Sequence, residues 1–285
     1  MTELRLDAAL AARGLARSRT HAARLVAEGS VTVDGLGVVK PSMKVGDDQV
    51  IAVARPDHYV SRAARKLQAA LDRFPIGVEG RLVLDAGAST GGFSQVLLER
   101  GARRVIAVDV GHGQLADSVA LDERVVPVEG FNVRYMTADS LAAASGVADR
   151  PNLVVGDLSF ISLTTVLSAL MATAADDADF VLLIKPQFEV GRGAIREGVV
   201  RDPALREDAV MDVLWKAWDL GLGTADLMPS PLVGSHGNHE YLVWLSAREG
   251  RHPTEWLRQV QAMVQQGVAE RAVVDRTGVD RREGA

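Results

Sequence analysis

The sequence predicts an α/β protein: a Rossmann-like, mostly parallel sheet of about seven strands, preceded by a small α+β unit at the N-terminus. Three observations carry this. Short apolar runs alternate with helical stretches from about residue 63 onward, the pattern of βαβ units. The first of these runs ends in an acid-headed, glycine-rich turn. The first fifty residues follow a different rhythm, two short helix faces and then short strands separated by turn residues.

In the N-terminal unit, Leu6, Ala9 and Leu10 mark one face of a short helix ending at Gly14. Ser18 is suited to cap a second helix, with Ala22, Leu25 and Val26 facing inward and Gly29 as its stop. Val31-Thr32-Val33-Asp34-Gly35 reads as a strand entering a tight turn, and Val50–Val53 closes the unit as another strand. This gives a first domain over 1–54, a linker over 55–62, an α/β domain over 63–250, and a tail over 251–285. The tail is expected to be helical to about Val273 and polar beyond. Strands of the α/β domain are expected at Leu82–Leu84, Val105–Val108, Val125–Val128, Leu153–Val155 and Phe180–Ile184. A late pair is expected at Ala225–Met228 and Tyr241–Leu245, after a helix around Ala209–Leu220.

Composition narrows the function classes. The 285 residues contain no cysteine, which excludes disulfides, thiolate metal sites and a cysteine nucleophile, and fits a cytoplasmic location. No apolar run approaches bilayer length, and the N-terminus lacks the apolar core of a leader, so no membrane association is expected. The six histidines show no ligand spacing, and no metal is expected. The net charge of −5 is unevenly spread. Residues 1–66 hold 11 lysines and arginines against seven acids, a surplus of four, and the remainder carries a deficit of nine. A polyanion would therefore be gripped at the N-terminal end.

The turn after the first strand runs Asp85-Ala86-Gly87-Ala88-Ser89-Thr90-Gly91-Gly92-Phe93. Ser89 stands where a dinucleotide fingerprint has its second glycine, which disfavours a nicotinamide dehydrogenase. The Asp-x-Gly-x-x-x-Gly-Gly spacing suits the methionine end of S-adenosylmethionine, which has no pyrophosphate to cradle. Asp109, at the end of the next strand, is placed to accept from both ribose hydroxyls of a bound nucleoside, a helix N-cap being its bland alternative. Asn132 after the third strand either pairs with an adenine amine or forms a turn. Asp157 and Phe160 follow the fourth strand and Lys185 the fifth, at the carboxyl ends where ligands sit in such sheets. Seven strands with a late pair suit a methyltransferase-type sheet ending in an antiparallel strand. The stretch from Pro186 to Gly198 reads as a long substrate-side loop bearing Arg192 and Arg196, with Arg201 just beyond.

Blocks running in order over roughly residues 5–246 carry a resemblance. They are Tyr59-Val60-Ser61-Arg62 with Lys66-Leu67, the glycine turn, Val108-Asp109-Val110-Gly111, Asp157-Leu158-Ser159-Phe160, Lys185-Pro186-Gln187-Phe188-Glu189, and Gly237-Asn238 with Glu240-Tyr241. Together they resemble the TlyA-type ribosomal RNA 2′-O-methyltransferases, also labelled haemolysins, within the FtsJ-like group. The N-terminal unit is similar to the alpha-L RNA-binding motif. The chain departs from the family pattern at Ala63-Ala64, often Gly-Gly, and at Phe131-Asn132, commonly Thr-Asn.

The resemblance implies S-adenosylmethionine as cofactor, cytidine 2′-hydroxyls of ribosomal RNA in the subunits as substrate, and a Lys-Asp-Lys-Glu tetrad at Lys66, Asp157, Lys185 and Glu240. The bland alternatives are that Lys66 is an ordinary helix-surface lysine and Glu240 an exposed edge-strand residue. The chemistry makes sense of the four together. A ribose hydroxyl must lose its proton as it attacks, an amine serves as base only when neutral, and burial beside a second cation favours the neutral form. Lys185 is the expected base. His236 and His239, beside Glu240, read better as loop residues than as catalytic ones. Asp85, Gly87, Ser89, Gly91, Gly92, Phe93, Asp109, Asn132, Asp157 and Phe160 are expected around the cofactor. Arg5, Arg17, Arg19, Arg24, Lys40, Arg62 and Arg192 are expected on RNA, where phosphate contacts position rather than specify. No obligate protein partner is called for. Two rival readings remain, a non-catalytic RNA-binding ribosome-assembly factor and a membrane-lytic haemolysin, the latter disfavoured because nothing in the sequence spans or lies on a bilayer.

Overall fold

The computed structural model describes residues 3–27, 29–38, 40–53, 58–191, 198–234 and 237–265. In the N-terminal unit, strand β1 (Leu4–Arg5) leads into α1 (Leu6–Ala12) and α2 (Arg19–Ala27). β2 (Val31–Val33), β3 (Leu36–Gly37), β4 (Lys44–Val45) and β5 (Ile51–Val53) follow. Leu6, Ala9 and Leu10 fall on one side of α1 and are buried against Ala22, Leu25 and Val26 of α2 in one small core. The Ser18 hydroxyl accepts from His21 N–H at 3.1 Å and so caps α2. Between β2 and β3 the chain reverses through Asp34 (φ 52°) and Gly35 (φ 82°), both left-handed, which matches the twist of a two-residue hairpin. β2 pairs antiparallel with both β3 and β5, and β1 pairs with β4.

The larger sheet contains β6 (Leu82–Ala86), β7 (Arg104–Val108), β8 (Val125–Val128), β9 (Leu153–Gly156), β10 (Asp179–Ile184), β11 (Gly223–Pro229) and β12 (Tyr241–Ser246). Their order is β11-β12-β10-β9-β6-β7-β8. Only β12 runs against the rest, antiparallel to both neighbours. Its six residues are all buried, which is why Tyr241–Leu245 reads as an unbroken apolar run.

Strand residues alternate between two cores. Leu82, Leu84 and Ala86, with Ile106 and Val108, face α6 (Ala138–Ser145), α7 (Leu163–Thr173) and α9 (Pro203–Asp219). Val83, Val105 and Ala107 face α3 (Ala64–Arg73) and α4 (Gly92–Glu99) on the other side. A short α5 (Asp117–Ala120) and α8 (Pro186–Glu189) complete the helices named here. The sequence predicts a loop from Pro186 onward. The structure instead begins that stretch with one helical turn, started by proline at its first position, where a missing N–H costs nothing.

In the tail, a 3-10 turn at Pro253–Trp256 and helical residues 257–265 pack Trp256, Val260 and Val264 onto the first of the two sheet cores. The rest of the expected tail helix lies outside the described residues, as do Arg192, Arg196 and His236. Among the described residues no helix is long and apolar enough to cross a membrane.

Candidate active site

β6 is flanked by β7 on one side and β9 on the other, so successive connections leave it in opposite directions. This opens a crevice at the carboxyl ends of β6 and β9. A cleft of about 270 Å³ lies there, lined by Gly87 to Thr90, Gly92 and Phe93 and by Lys66, Asp157, Lys185 and Glu240.

The glycine turn is held from behind by carboxylates. Ser89, the residue that replaces the second glycine of a dinucleotide loop, takes the left-handed conformation at φ 47°. Its N–H donates to Asp109 Oδ2 at 2.9 Å, while Asp109 Oδ1 accepts from Gly111 N–H at 2.8 Å. Asp109 thus fixes the turn, and each of its oxygens retains a lone pair for a further donor. Gly91 (φ 92°) sits at the start of α4, where an L side chain would be strained.

Asp85 is wholly buried. One oxygen accepts from Ser94 Oγ at 2.7 Å, and the other has no hydrogen-bond partner among the described residues. Burial pushes this carboxyl up to about 7, the Ser94 hydrogen bond offsetting only part of the effect. Between about pH 4 and pH 7 the folded chain therefore holds a proton there that the unfolded chain has released, and wild type loses stability as pH rises through that window. Asp85→Asn is expected to remove this component. Urea denaturation at intervals from pH 4 to pH 8 should show the variant gaining on wild type as pH rises, and parallel profiles would contradict the account.

The charged wall is a chain of contacts drawn from four elements. Lys66 on α3 places Nζ 2.7 Å from Glu240 Oε2 and 3.5 Å from Asp157 Oδ2. Lys185, directly after β10, places Nζ 2.6 Å from Asp157 Oδ1 and donates to Ser159 Oγ at 2.7 Å. Burial alone would raise the Asp157 carboxyl, but the Lys66 and Lys185 ammonium groups outweigh it and hold Asp157 below the ordinary carboxylate range. Glu240 precedes β12 and reaches Lys66 only because Gly234 opposite has no side chain. A Cβ there would stand 2.1 Å from Glu240 Oε1. Asn238 supports the same loop, its amide donating to Gly198 O at 2.8 Å and accepting from Val200 N–H at 3.1 Å.

The structure thus brings together all four tetrad positions, Asp157 among them, with Gly87, Ser89, Gly92 and Phe93 around one cleft. Asp85, Gly91 and Asp109 stand behind the turn. Asn132 and Phe160 do not line it. Asn132 Oδ1 accepts from Arg134 N–H at 3.0 Å, the turn-forming role left open from sequence. Phe160 takes φ 64° and exposes 91% of its surface, its ring centroid 5.3 Å from that of Phe188.

In the N-terminal unit, Arg5 and Arg19 both donate to Asp7 Oδ2, at 3.0 and 3.2 Å. The Arg5 hydrogen bond, with help from Arg19, holds the Asp7 carboxyl down to about 2. Arg17, Arg24 and Lys40 are exposed on the same unit. Arg62 is placed differently: it lines the cleft, and its guanidinium lies against Gly29. Sequence reasoning missed Ser61, Thr90, Ser159 and Gly234 as walls of the cleft. Ser159 lies within Asp157-Leu158-Ser159-Phe160 and Gly234 between β11 and β12, but neither position signals its partner.

Comparison with known proteins shows the family. Residues 59–247 match the FtsJ-like methyltransferase family, and residues 4–51 match the S4 domain. The 16S/23S rRNA (cytidine-2′-O)-methyltransferase TlyA of Mycobacterium tuberculosis is 50% identical over 250 residues, 87% of this chain and 91% of that protein. Hemolysin A of Brachyspira hyodysenteriae is 38% identical over 84% of this chain and 98% of its own length. The solved structure of a Streptococcus thermophilus protein named for hemolysin is 35% identical. It covers 97% of this chain and 99% of that one, with a TM-score of 0.72.

Proposed function

The chain belongs to the FtsJ-like methyltransferase family, with an S4 domain ahead of the transferase, and from that premise we propose that it methylates cytidine 2′-hydroxyls in the ribosomal RNA of both subunits, using S-adenosylmethionine. The observation that carries the reading is the contact chain Glu240–Lys66–Asp157–Lys185 lining one cleft with the glycine turn.

The residues present fit the cofactor. The turn offers a cradle of small residues with a carboxylate, Asp109, behind it, and Gly87, Ser89, Gly92, Phe93 and Asp157 would hold the bound molecule. S-adenosylmethionine supplies a methyl group on a positively charged sulfur, already activated for transfer. The chain's own residues do the rest. Lys185, as the neutral amine, takes the proton of the ribose 2′-hydroxyl as that oxygen gains the methyl group. Asp157 orients Lys185 and Lys66, and Glu240 holds Lys66, so that each amino group faces a carboxylate. General-base assistance of this kind is worth about 10²–10⁴-fold, and alignment supplies much of the remainder.

The basic residues of the S4 domain, Arg5, Arg17, Arg19, Arg24 and Lys40, are assigned to RNA phosphates, and Arg62 to the mouth of the cleft. The protein would thus work where ribosomal subunits are found, in the cytoplasm. Incubation with labelled S-adenosylmethionine and separately purified 30S and 50S particles tests this. Label is expected in both RNAs. Label confined to one particle would overturn the two-subunit reading, and label in neither would favour a non-catalytic assembly factor.

A further inference from the structure

We propose that Ser159 is a positioning residue for the base, fixing the rotation of the Lys185 amine so that its lone pair faces the substrate hydroxyl. The inference rests on the reading of Lys185 as base. Lys185 Nζ has two oxygen partners, Asp157 Oδ1 at 2.6 Å and Ser159 Oγ at 2.7 Å. A neutral amine carries two N–H bonds and one lone pair in tetrahedral array. When one N–H bond is given to Ser159 and Asp157 flanks the amine as its ion-pair partner, the lone pair takes the direction those two oxygens leave, and Lys185 lines the cleft. With Asp157 alone, the amine would turn about its Cε–Nζ bond and spread the lone pair over orientations that cannot reach the hydroxyl. Ser159 also lines the cleft, and since its oxygen accepts from Lys185, its own O–H is free to point elsewhere.

The surrounding backbone holds Ser159 in place. Phe160, the next residue, occupies the left-handed region at φ 64°, a conformation that a bulky side chain adopts only where its surroundings impose it. Two residues further on, Ser162 Oγ donates to Glu189 Oε2 at 2.5 Å and Leu163 N–H to Glu189 Oε1 at 2.8 Å. Glu189 lies one helical turn beyond Lys185. The loop that carries Ser159 and the segment that carries the base are therefore tied together at a second point, and the 2.7 Å contact does not depend on a free loop.

The test compares Ser159→Ala and Ser159→Thr with wild type, with Lys185→Met run in parallel. Measured are kcat and KM for methyl transfer to 50S particles, and the Kd for S-adenosylmethionine by calorimetry. Ser159→Ala is expected to lower kcat by about 10- to 100-fold, the scale of a misaligned catalytic group, with KM for RNA and cofactor Kd unchanged. Ser159→Thr, which keeps the hydroxyl, is expected to recover most of that loss. The proposal is overturned if Ser159→Ala turns over like wild type while Lys185→Met is inactive. It is equally overturned if Ser159→Ala weakens cofactor binding in step with kcat, or if threonine rescues nothing. Activity retained in Lys185→Met would instead sink the underlying assignment of the base.

Discussion

Replacing Lys185 by methionine is expected to slow methyl transfer by about 10²–10⁴-fold while leaving S-adenosylmethionine binding essentially unchanged. Methionine keeps the length and apolar stem of the side chain and removes the amine assigned to take the proton. The stem is buried behind the amine, so the fold should accept the change. The alternative, that Lys185 serves only to hold Asp157, predicts a different pattern. Arginine would then substitute well, since it preserves the charge and the ion pair. On the present account Lys185→Arg should be as inactive as Lys185→Met, because a guanidinium does not give up its proton in a protein. Single-turnover transfer rates for the two variants, with calorimetric cofactor titrations, separate the readings.

The second large effect concerns stability. Asp157 stands between two ammonium groups whose side chains are only 7% and 9% exposed. Asp157→Ala leaves Lys66 with Glu240 alone and Lys185 with a serine hydroxyl alone. Uncompensated buried charge of this kind costs about 3–5 kcal/mol, so the variant is expected to unfold at markedly lower urea and to show no transfer. The effect belongs to the pair rather than to Asp157 by itself. Removing the stranded cation as well, in Asp157→Ala with Lys185→Met, should return a substantial part of the stability and none of the activity. An Asp157→Ala protein within about 1 kcal/mol of wild type would mean that water or a shifted side chain replaces the carboxylate at little cost.

Much of this was legible in the sequence because the physics involved is local. The short apolar runs such as Leu82–Leu84, alternating with helical stretches, declare the strands, and the Asp85–Gly92 turn declares itself through spacing. The tetrad was legible in another way: Lys66 and Glu240 lie 174 positions apart, and no periodicity connects them. Only the resemblance to a known family joined them to Asp157 and Lys185. What remained hidden is set by the direction of the backbone rather than by residue type. Phe160 follows Asp157 closely enough to be expected at the cofactor, but the left-handed turn at Phe160 sends its ring outward onto Phe188. Asn132 had two chemically equal roles, and the turn claimed its oxygen. Ser159 and Gly234 act through one atom and through the absence of one, and neither leaves a pattern along the chain.

The central claim is that this cleft methylates ribose and not a base. It is tested most directly by locating the label in the RNA after transfer. Ribosomal RNA from 30S and 50S particles treated with the protein and methyl-labelled S-adenosylmethionine would be hydrolysed with alkali. A 2′-O-methyl group blocks cleavage of the adjoining phosphodiester, so the label is expected in alkali-resistant dinucleotides, with 2′-O-methylcytidine as the only labelled nucleoside on full digestion. Recovery of the label in mononucleotides, as a methylated base, would contradict the account.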